Sequence, residues 1–335
     1  MPNRVTMADV AHEVGVSMMT VSRVINHKGD VSEVTRGRVL EAIERLGYCP
    51  SGIARGLATR RTGTLGLVVP DVANPFFAEV ARGVEHVAYA EGYNVFLCNT
   101  DEDPGRELDV LNSLEEKRVD GLVLCSSRLE SEDLRLVVDS HPVVVLVNRR
   151  LNGAGEQVRA VLVDDVLGGR LTAGHLVGRG HRAIGLLAGP EGSRSGRSRL
   201  QGYQAILAEA GLRFDAGWVQ NCAPVAGAGR TVARALLGAH AELTALLCYN
   251  DLVAVGVLRA AAELGRSVPE DLAVVGFDDI PLAALVTPPL TTCRIPRYEL
   301  GVRAVKLLLD QIRGDPAGSE EIILEPELVV RESAP

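Results

Sequence analysis

From Thr64 onward, short apolar segments alternate with segments long enough to form helices. The candidate strands are Leu65–Val69, Asn94–Cys98, Gly121–Cys125, Val143–Val147, Ala160–Val163, Ala183–Leu187, Ala245–Cys248 and Ala273–Val275. The candidate helices are Pro75–Glu91, Gly105–Glu116, Leu167–Gly178, Ser198–Ala210, Thr231–Leu237, Leu252–Leu264 and Arg297–Arg313. This alternation is typical of doubly wound α/β folds with parallel sheets. Because the segment is too long for one open sheet of this kind, the pattern predicts two lobes.

Three short helices are predicted before this α/β body, ending near Val14, Ile25 and Leu46. Thr6 and Asp9 have the spacing of a capping box, which favours a helix start at that point. The sequence from Pro50 to Thr62 then lacks a regular apolar pattern and is typical of a linker with a short helical turn.

The first two helices have the spacing of a helix-turn-helix, with Ala11, Gly15 and Val21 at its characteristic positions. The small alanine lets two helices approach, the glycine forms the turn, and the valine packs the second helix on the first. Such a unit places its second helix in the major groove of DNA. A small three-helix domain without DNA-binding activity would have a similar pattern.

The formal net charge of -8 is an average over two unlike parts. Residues 1–61 carry nine basic and six acidic side chains, a net +3, which leaves −11 on the rest of the chain. This asymmetry indicates a small basic head on an acidic body and favours DNA binding by the head.

The body carries no recognisable catalytic set. It lacks a phosphate-binding glycine loop, and Gly192–Gly196 does not place a serine at the centre of a nucleophile elbow. The cysteines and histidines are dispersed, without metal-ligand spacing. We therefore expect no enzyme activity, no cofactor and no metal. Apolar runs such as Val143–Val147 are too short to span a bilayer, and the N-terminus has no apolar signal core, which predicts a cytoplasmic protein without a membrane partner.

Polar residues follow several predicted strands in both halves of the body. They are Asp71, Asn74, Asp101, Ser126, Arg149, Asp165, Asn250, Asp251, Asp278 and Asp279. In doubly wound sheets the carboxyl ends of the strands face the ligand crevice. For each of these residues taken singly, capping of the next helix is the better explanation. Their recurrence in both halves favours a polar ligand cleft.

A series of motifs along essentially the whole chain resembles the LacI/GalR family of bacterial transcriptional repressors. The motifs are VTMADVA (5–11), TVSRVIN (20–26), PSGIARGL (50–57), NPFF (74–77), KRVDG (117–121), GY (202–203), ND (250–251), VGFDD (275–279) and PPLTT (288–292). The resemblance implies an all-α helix-turn-helix head and a hinge helix, followed by a two-lobed α/β body similar to periplasmic binding proteins. It also implies a homodimer that binds a pseudo-palindromic double-stranded operator and responds to a small-molecule effector.

The same resemblance implies domain bounds and DNA-contacting positions. The expected ranges are 1–49 for the head, 50–62 for the hinge and 63–335 for the body, whose N-lobe takes about 63–163 plus 293–321 and whose C-lobe takes about 164–292 plus 322–335. The expected DNA contacts are Thr6, Met7, Ser17, Met18, Met19, Thr20, Ser22, Arg23, Asn26, Tyr48, Ala54 and Leu57. Met18 and Met19 occupy the main base-reading positions, where a thioether chain suits contact with thymine methyl groups. Leu57 corresponds to the hinge residue that wedges into the minor groove.

The effector positions implied by the resemblance lie on both lobes. They are Asn74, Phe76, Phe77, Asp101, Ser126, Arg149, Asp165, Ser195, Arg199, Asn250 and Asp278. The phenylalanines suit stacking on a sugar face or a base, and the charged groups suit bidentate recognition of hydroxyls. We therefore expect a repressor of carbohydrate-metabolism genes with a sugar-like effector. A nucleobase or anionic effector is the first alternative, and a solute-binding protein of the same fold is the second.

Overall fold

The computed structural model of the protein describes residues 5–26, 29–48, 61–151, 158–315 and 321–335. The chain forms two compact units that divide between Gly63 and Thr64. The first unit contains the three predicted helices, α1 (Met7–Val14), α2 (Met18–Ile25) and α3 (Glu33–Leu46).

Short-range hydrogen bonds set the limits of the head helices. The predicted capping box is present, since the Thr6 hydroxyl accepts from the Asp9 amide and the Asp9 carboxylate accepts from the Thr6 amide at 2.8 Å. Gly15 ends α1 with a φ of 70°, a left-handed conformation that glycine adopts at low cost. Val10, Val21 and Val39, one from each helix, are fully buried and form the centre of the head core.

The second unit contains two six-stranded sheets within its described residues. The strands are β1 (Thr64–Val69), β2 (Asn94–Asn99), β3 (Gly121–Cys125), β4 (Val144–Val147), β5 (Arg159–Val163), β6 (Ile184–Gly189), β7 (Val219–Asn221), β8 (Ala245–Cys248), β9 (Ala273–Asp278), β10 (Thr291–Arg294), β11 (Glu321–Leu324) and β12 (Glu327–Val329). The first sheet has the order β11-β5-β4-β3-β1-β2 and is parallel throughout. The second has the order β12-β10-β9-β8-β6-β7, and only β12 runs antiparallel to its neighbour.

Helices cover both sheets, as the alternating pattern predicts. They are α4 (Pro75–Ala90), α5 (Pro104–Glu116), α6 (Ser131–Ser140), α7 (Asp165–Gly178), α8 (Arg194–Glu209), α9 (Ala226–Ala239), α10 (Asp251–Glu263) and α11 (Arg297–Arg313), with short 3-10 helices at Ala216–Trp218 and Pro281–Ala284. No helix in the described ranges is long and apolar enough to cross a membrane.

The chain passes between the two sheets three times. The first lobe comprises β1–β5 and β11 with α4–α6 and α11, and the second lobe comprises β6–β10 and β12 with α7–α10. The passages lie between β5 and α7, between β10 and α11, and between β11 and β12. The strands place Cys293 and Arg294 in the second lobe and Ile322–Leu324 in the first. The expected lobe bounds at 293 and 321 therefore move by a few residues, because the last two passages follow β10 and β11, which the apolar pattern does not reveal.

Candidate functional site

The second helix of the head presents two methionines at its N-terminal end. Met18 and Met19 are 57% and 66% exposed, whereas Val21 and Val24 on the opposite face are buried. The Ser17 hydroxyl accepts from the Thr20 amide at 3.1 Å and caps the helix. Long apolar side chains exposed side by side on a basic head suit the methyl contacts that the sequence predicts.

The other predicted DNA contacts differ in accessibility. Arg23 is exposed, Met7 is half-buried, and Tyr48 packs in the head core at 9% exposure. The Thr6 hydroxyl donates to Asp9, and the Asn26 amide donates to the Ser22 carbonyl at 2.8 Å. Ser22 itself is partly buried. Two further predicted contacts, in the hinge segment, lie outside the described residues: Ala54 and Leu57.

Eight of the predicted effector residues line one cavity between the lobes. They are Asn74, Phe76, Phe77, Ser126, Ser195, Arg199, Asn250 and Asp278. The first four belong to the first lobe and the last four to the second, so the strand-end rule brings both sets to one cleft. The cavity measures about 30 Å³, which is room for about two water molecules. A monosaccharide therefore requires the lobes to separate for entry.

A buried cluster of charges surrounds Arg199 in this cleft. Its Nε lies 2.8 Å from Asp165 Oδ1, its Nη2 lies 4.0 Å from Asp278 Oδ1, and its Nη1 donates to the Tyr249 carbonyl. The guanidinium carbon lies 3.5 Å from the centroid of the Phe277 ring, a cation–π contact. Burial acts to lower the pKa of Arg199, but the Asp165 and Asp278 carboxylates raise it above its ordinary value. Arg199 is therefore a fixed positive charge that orients two carboxylates.

The turn after β9 directs Asp278 into the cleft. Asp278 and Asp279 have φ values of 105° and 52°, conformations that a non-glycine residue adopts only when its surroundings hold it. Fully buried Asp251 supplies that support, since its carboxylate accepts from the Ile280 amide at 2.8 Å and from the Thr292 hydroxyl. Burial raises the pKa of Asp278 to about 7, although Arg199 and Arg297 act to lower it.

Two asparagines both line the cleft and cap the helix that follows them. The Asn74 side chain accepts from the Phe76 amide at 3.0 Å and caps α4. Asn250 caps α10 by accepting from Val253 at 2.8 Å, and it donates to the Pro224 carbonyl at 3.1 Å. Helix capping therefore fixes both side chains at the cleft and limits their freedom.

Three predicted effector residues do not line this cavity. Asp165 lies behind it, where it binds Arg199. Asp101 follows β2 in a left-handed turn and forms an exposed ion pair with Arg106. Arg149 points elsewhere, because its Nη2 donates to the Leu129 carbonyl at 2.8 Å. Position at a strand end brings a residue to the cleft edge, and local backbone turns then decide where its side chain points.

The structure adds five lining residues that the sequence analysis did not select. They are Glu102, Arg128, Asn148, Pro224 and Tyr249. Glu102, Asn148 and Tyr249 are chain neighbours of predicted residues, so the pattern located their loops but not the side chains. Asn148 has a φ of 54°, and its Oδ1 is buried with no hydrogen-bond partner in the described chain. An acceptor in that state suits a hydroxyl or amine of a ligand.

The head and the body of the chain each match a known protein family. Residues 6–51 match the family described as bacterial regulatory proteins, lacI family, and residues 173–334 match a periplasmic binding protein-like domain. A ribose operon repressor of Halalkalibacterium halodurans is 39% identical over 331 residues, which cover 98% of this chain and 96% of that protein. The transcriptional repressor PurR of Aliivibrio fischeri is 36% identical over 330 residues, which cover 98% of each chain.

Solved structures agree in fold over nearly the full length. The lac repressor dimer bound to operator and the anti-inducer ONPF has a TM-score of 0.87 at 29% identity and covers 99% of each chain. The complex of the transcriptional regulator CelR with cellobiose has a TM-score of 0.76 at 35% identity, covering 98% of this chain and 100% of that one. Both the head and the two-lobed body are thus shared with DNA-binding regulators.

Proposed function

The chain belongs to the LacI family of bacterial regulatory proteins and is a transcriptional repressor rather than an enzyme. We propose that a neutral, sugar-like effector controls its affinity for DNA. The regulated genes would then serve carbohydrate metabolism. The observation that carries this proposal is the charge arrangement of the cleft, in which both cationic side chains already have carboxylate partners.

The two arginines that line the cavity are paired internally. Arg128 forms an ion pair with Glu102, and Arg199 binds Asp165 and faces Asp278. An anionic effector in this cavity would add negative charge beside three carboxylates. A polyhydroxylated neutral ligand instead matches paired donors and acceptors, because vicinal hydroxyls bond a guanidinium and a carboxylate together.

The aromatic geometry favours a sugar over a flat base. The rings of Phe76 and Phe77 have centroids 5.0 Å apart and cross at 82°, and both are more than nine-tenths buried. Crossed rings cannot sandwich a planar base between parallel faces. A ring edge or face at the cavity wall, beside polar groups, suits a sugar ring. A nucleobase is the second candidate.

DNA recognition would follow the family pattern at the expected positions of the head and hinge. We propose that α2, with Met18 and Met19 at its exposed end, lies in the major groove of a pseudo-palindromic operator. A homodimer would then present two heads. Because effector binding and DNA binding are linked, a ligand that alters operator affinity must have its own affinity altered by the same factor.

A thermal-shift screen of neutral sugars, nucleobases and nucleosides on the full chain tests the effector class. A matching sugar should raise the melting temperature by mass action, and the same sugar should alter the DNA affinity of the protein. Asn250→Ala should weaken this response, whereas Asn112→Ala, at an exposed position of α5 that does not line the cavity, serves as the control. Stabilisation by nucleobases alone would contradict the proposed effector class.

A further inference from the structure

A second cavity lies beside the cleft, where β4 ends and where α7 and α8 begin. It measures about 490 Å³, which lies within the range of small-molecule sites. Four arginines and two serines line it: Arg149, Arg150, Arg194, Arg197, Ser195 and Ser198. Asn148 and Ser195 also line the cleft, so the two cavities share a wall.

Arg149 is a buried charge that lacks a counter-ion. It is only 3% exposed, its Nη2 donates to the Leu129 carbonyl at 2.8 Å, and its Nε is buried with no hydrogen-bond partner among the described residues. Within the described chain no carboxylate oxygen lies within 4.0 Å of it. An unpaired buried guanidinium is costly, and an anion in the adjacent cavity would remove that cost.

Two further arginines on the opposite side of the cavity are also unneutralised. Arg194 donates through Nη2 to the Ser131 hydroxyl at 3.1 Å, and its Nε is buried without a hydrogen-bond partner in the described part of the chain. Arg197 donates through Nη1 to the Glu191 carbonyl at 2.9 Å. Neither forms an ion pair with a described carboxylate. The three guanidinium groups thus combine unused donors with net positive charge.

The remaining charged groups around the cavity are already engaged. Arg150 at the rim pairs with Glu321, with 2.9 Å between Nε and Oε1. Asp164 accepts from the Leu167 amide at 2.8 Å, and Asp165 binds Arg199. The N-terminus of the sixteen-residue helix α8 adds a positive dipole end beside these side chains.

We propose that this second cavity binds a phosphate group, either free phosphate or the phosphate of a small metabolite ester. Arg149 from the first lobe and Arg194 and Arg197 from the second would hold its oxygens. Guanidinium groups match phosphate through paired N–H donors. Because the arginines come from both lobes, the bound anion would hold the lobes together and act as a second regulatory ligand.

Calorimetry and thermal unfolding of the full chain at constant ionic strength test this site. The probes are potassium phosphate, glucose 6-phosphate and glucose, with chloride as the reference salt. We expect phosphate to bind and stabilise the wild type. The double variant Arg194→Gln with Arg197→Gln should bind phosphate about tenfold or more weakly, because it loses charge-assisted hydrogen bonds.

Arg213→Gln is the matched control, since Arg213 is an exposed arginine of the second lobe away from the cavity. It should bind phosphate like the wild type. Tighter binding of glucose 6-phosphate than of phosphate would identify an ester as the ligand, and equal binding would identify the free ion. Neutral sugars should stabilise the double variant as they do the wild type, which separates this site from the effector cleft.

Two results would overturn the proposal. One is phosphate that stabilises the wild type no more than chloride does. The other is a double variant that keeps its phosphate affinity while folding normally by circular dichroism. To test the buried charge directly, Arg149→Met should unfold at higher temperature than the wild type without phosphate and lose its response to phosphate.

Discussion

At the residue scale, Asp278 shows how folding holds a functional group in a costly state. Its carboxyl group is buried beside Arg199 in a turn of unfavourable backbone conformation that Asp251 supports. The raised pKa, about 7, means that the native state binds the proton more tightly than the unfolded state does. The protonated Asp278 carboxyl group therefore contributes its full stabilisation below the ordinary carboxyl pKa. This contribution is lost as the pH rises through about 7.

Replacing Asp278 with asparagine should remove this pH dependence. Relative to the wild type, we expect Asp278→Asn to gain stability between about pH 4 and about pH 7, with a slope of order 1 kcal/mol per pH unit. Denaturant unfolding at several pH values measures the difference. Asp271→Asn, at an exposed loop carboxylate that accepts from the Ser267 amide, is the control. A flat difference for Asp278→Asn across this range would contradict the assigned titration.

Only some of the residues that line the candidate site can be predicted from the sequence. Residues selected at strand ends in both halves line one cavity, because parallel strands bring their carboxyl ends to the same edge. The pattern did not distinguish Asn148 from Arg149: at the left-handed turn that follows β4, Asn148 lines the cleft as well as the second cavity, whereas Arg149 lines only the second cavity. Ion pairs such as Glu102–Arg128 join distant segments and leave no local signal.

At the element scale, glycines let three pairs of helices approach closely. A Cβ at Gly301 would meet the Val80 carbonyl between α11 and α4, and one at Gly256 would meet the Ala226 carbonyl between α10 and α9. Between α7 and α8, a Cβ at Gly169 would meet the carbonyl oxygen of Arg199. Because backbone cannot move aside as a flexible side chain does, these positions restrict substitution more than ordinary core sites.

Two glycines of α7 form a matched test of this packing. Gly169→Ala should destabilise the protein by about 1–3 kcal/mol, because the new methyl group overpacks the contact with α8. Gly174→Ala should stabilise it by up to about 1 kcal/mol, since its Cβ would meet Ile206 at an ordinary 3.7 Å and alanine favours a helix. Thermal unfolding of both variants checks the opposite signs. Equal effects would indicate that helix propensity alone governs both positions.

The apolar pattern of the sequence reveals most strands and helices of the body but not all of them. All eight predicted strands and seven predicted helices of the body are present, because short apolar runs of strand length alternate regularly with helix-length segments. The strands β7, β10, β11 and β12 have only three or four residues each. Unlike the equally short but wholly apolar β4 and β8, these strands mix polar with apolar residues and form no apolar run of that length, so pairing with neighbours defines them. Helix α6 begins without a side-chain cap hydrogen bond, so its start lacks a sequence signal.

At the scale of the whole molecule, β2 presents an apolar edge that suits a second copy of the chain. It is the edge strand of the first sheet, and Phe96 and Leu97 on it are each nearly half exposed. Edge strands with exposed apolar side chains favour association. The similar lac repressor structure is a dimer. We therefore expect this edge to form part of the homodimer interface.

The variant Phe96→Asp with Leu97→Asp should shift the protein towards monomer, because charges would be buried in an apolar contact. Light scattering after size-exclusion chromatography measures the mass. Leu136→Asp is the control, since this residue is 70% exposed on α6, which connects β3 to β4 away from the β2 edge. An unchanged dimer for the double variant would place the interface elsewhere.

The three passages between the lobes also determine when the molecule can fold during its synthesis. The first lobe needs α11 and β11, which leave the ribosome only after all of α7 through β10 has been made. A nascent first lobe therefore has β5 unpaired on one side while the second lobe emerges. Proteins whose domains are continuous in sequence can fold them one after another. Here both lobes reach completion almost together, once β11 and β12 have been made.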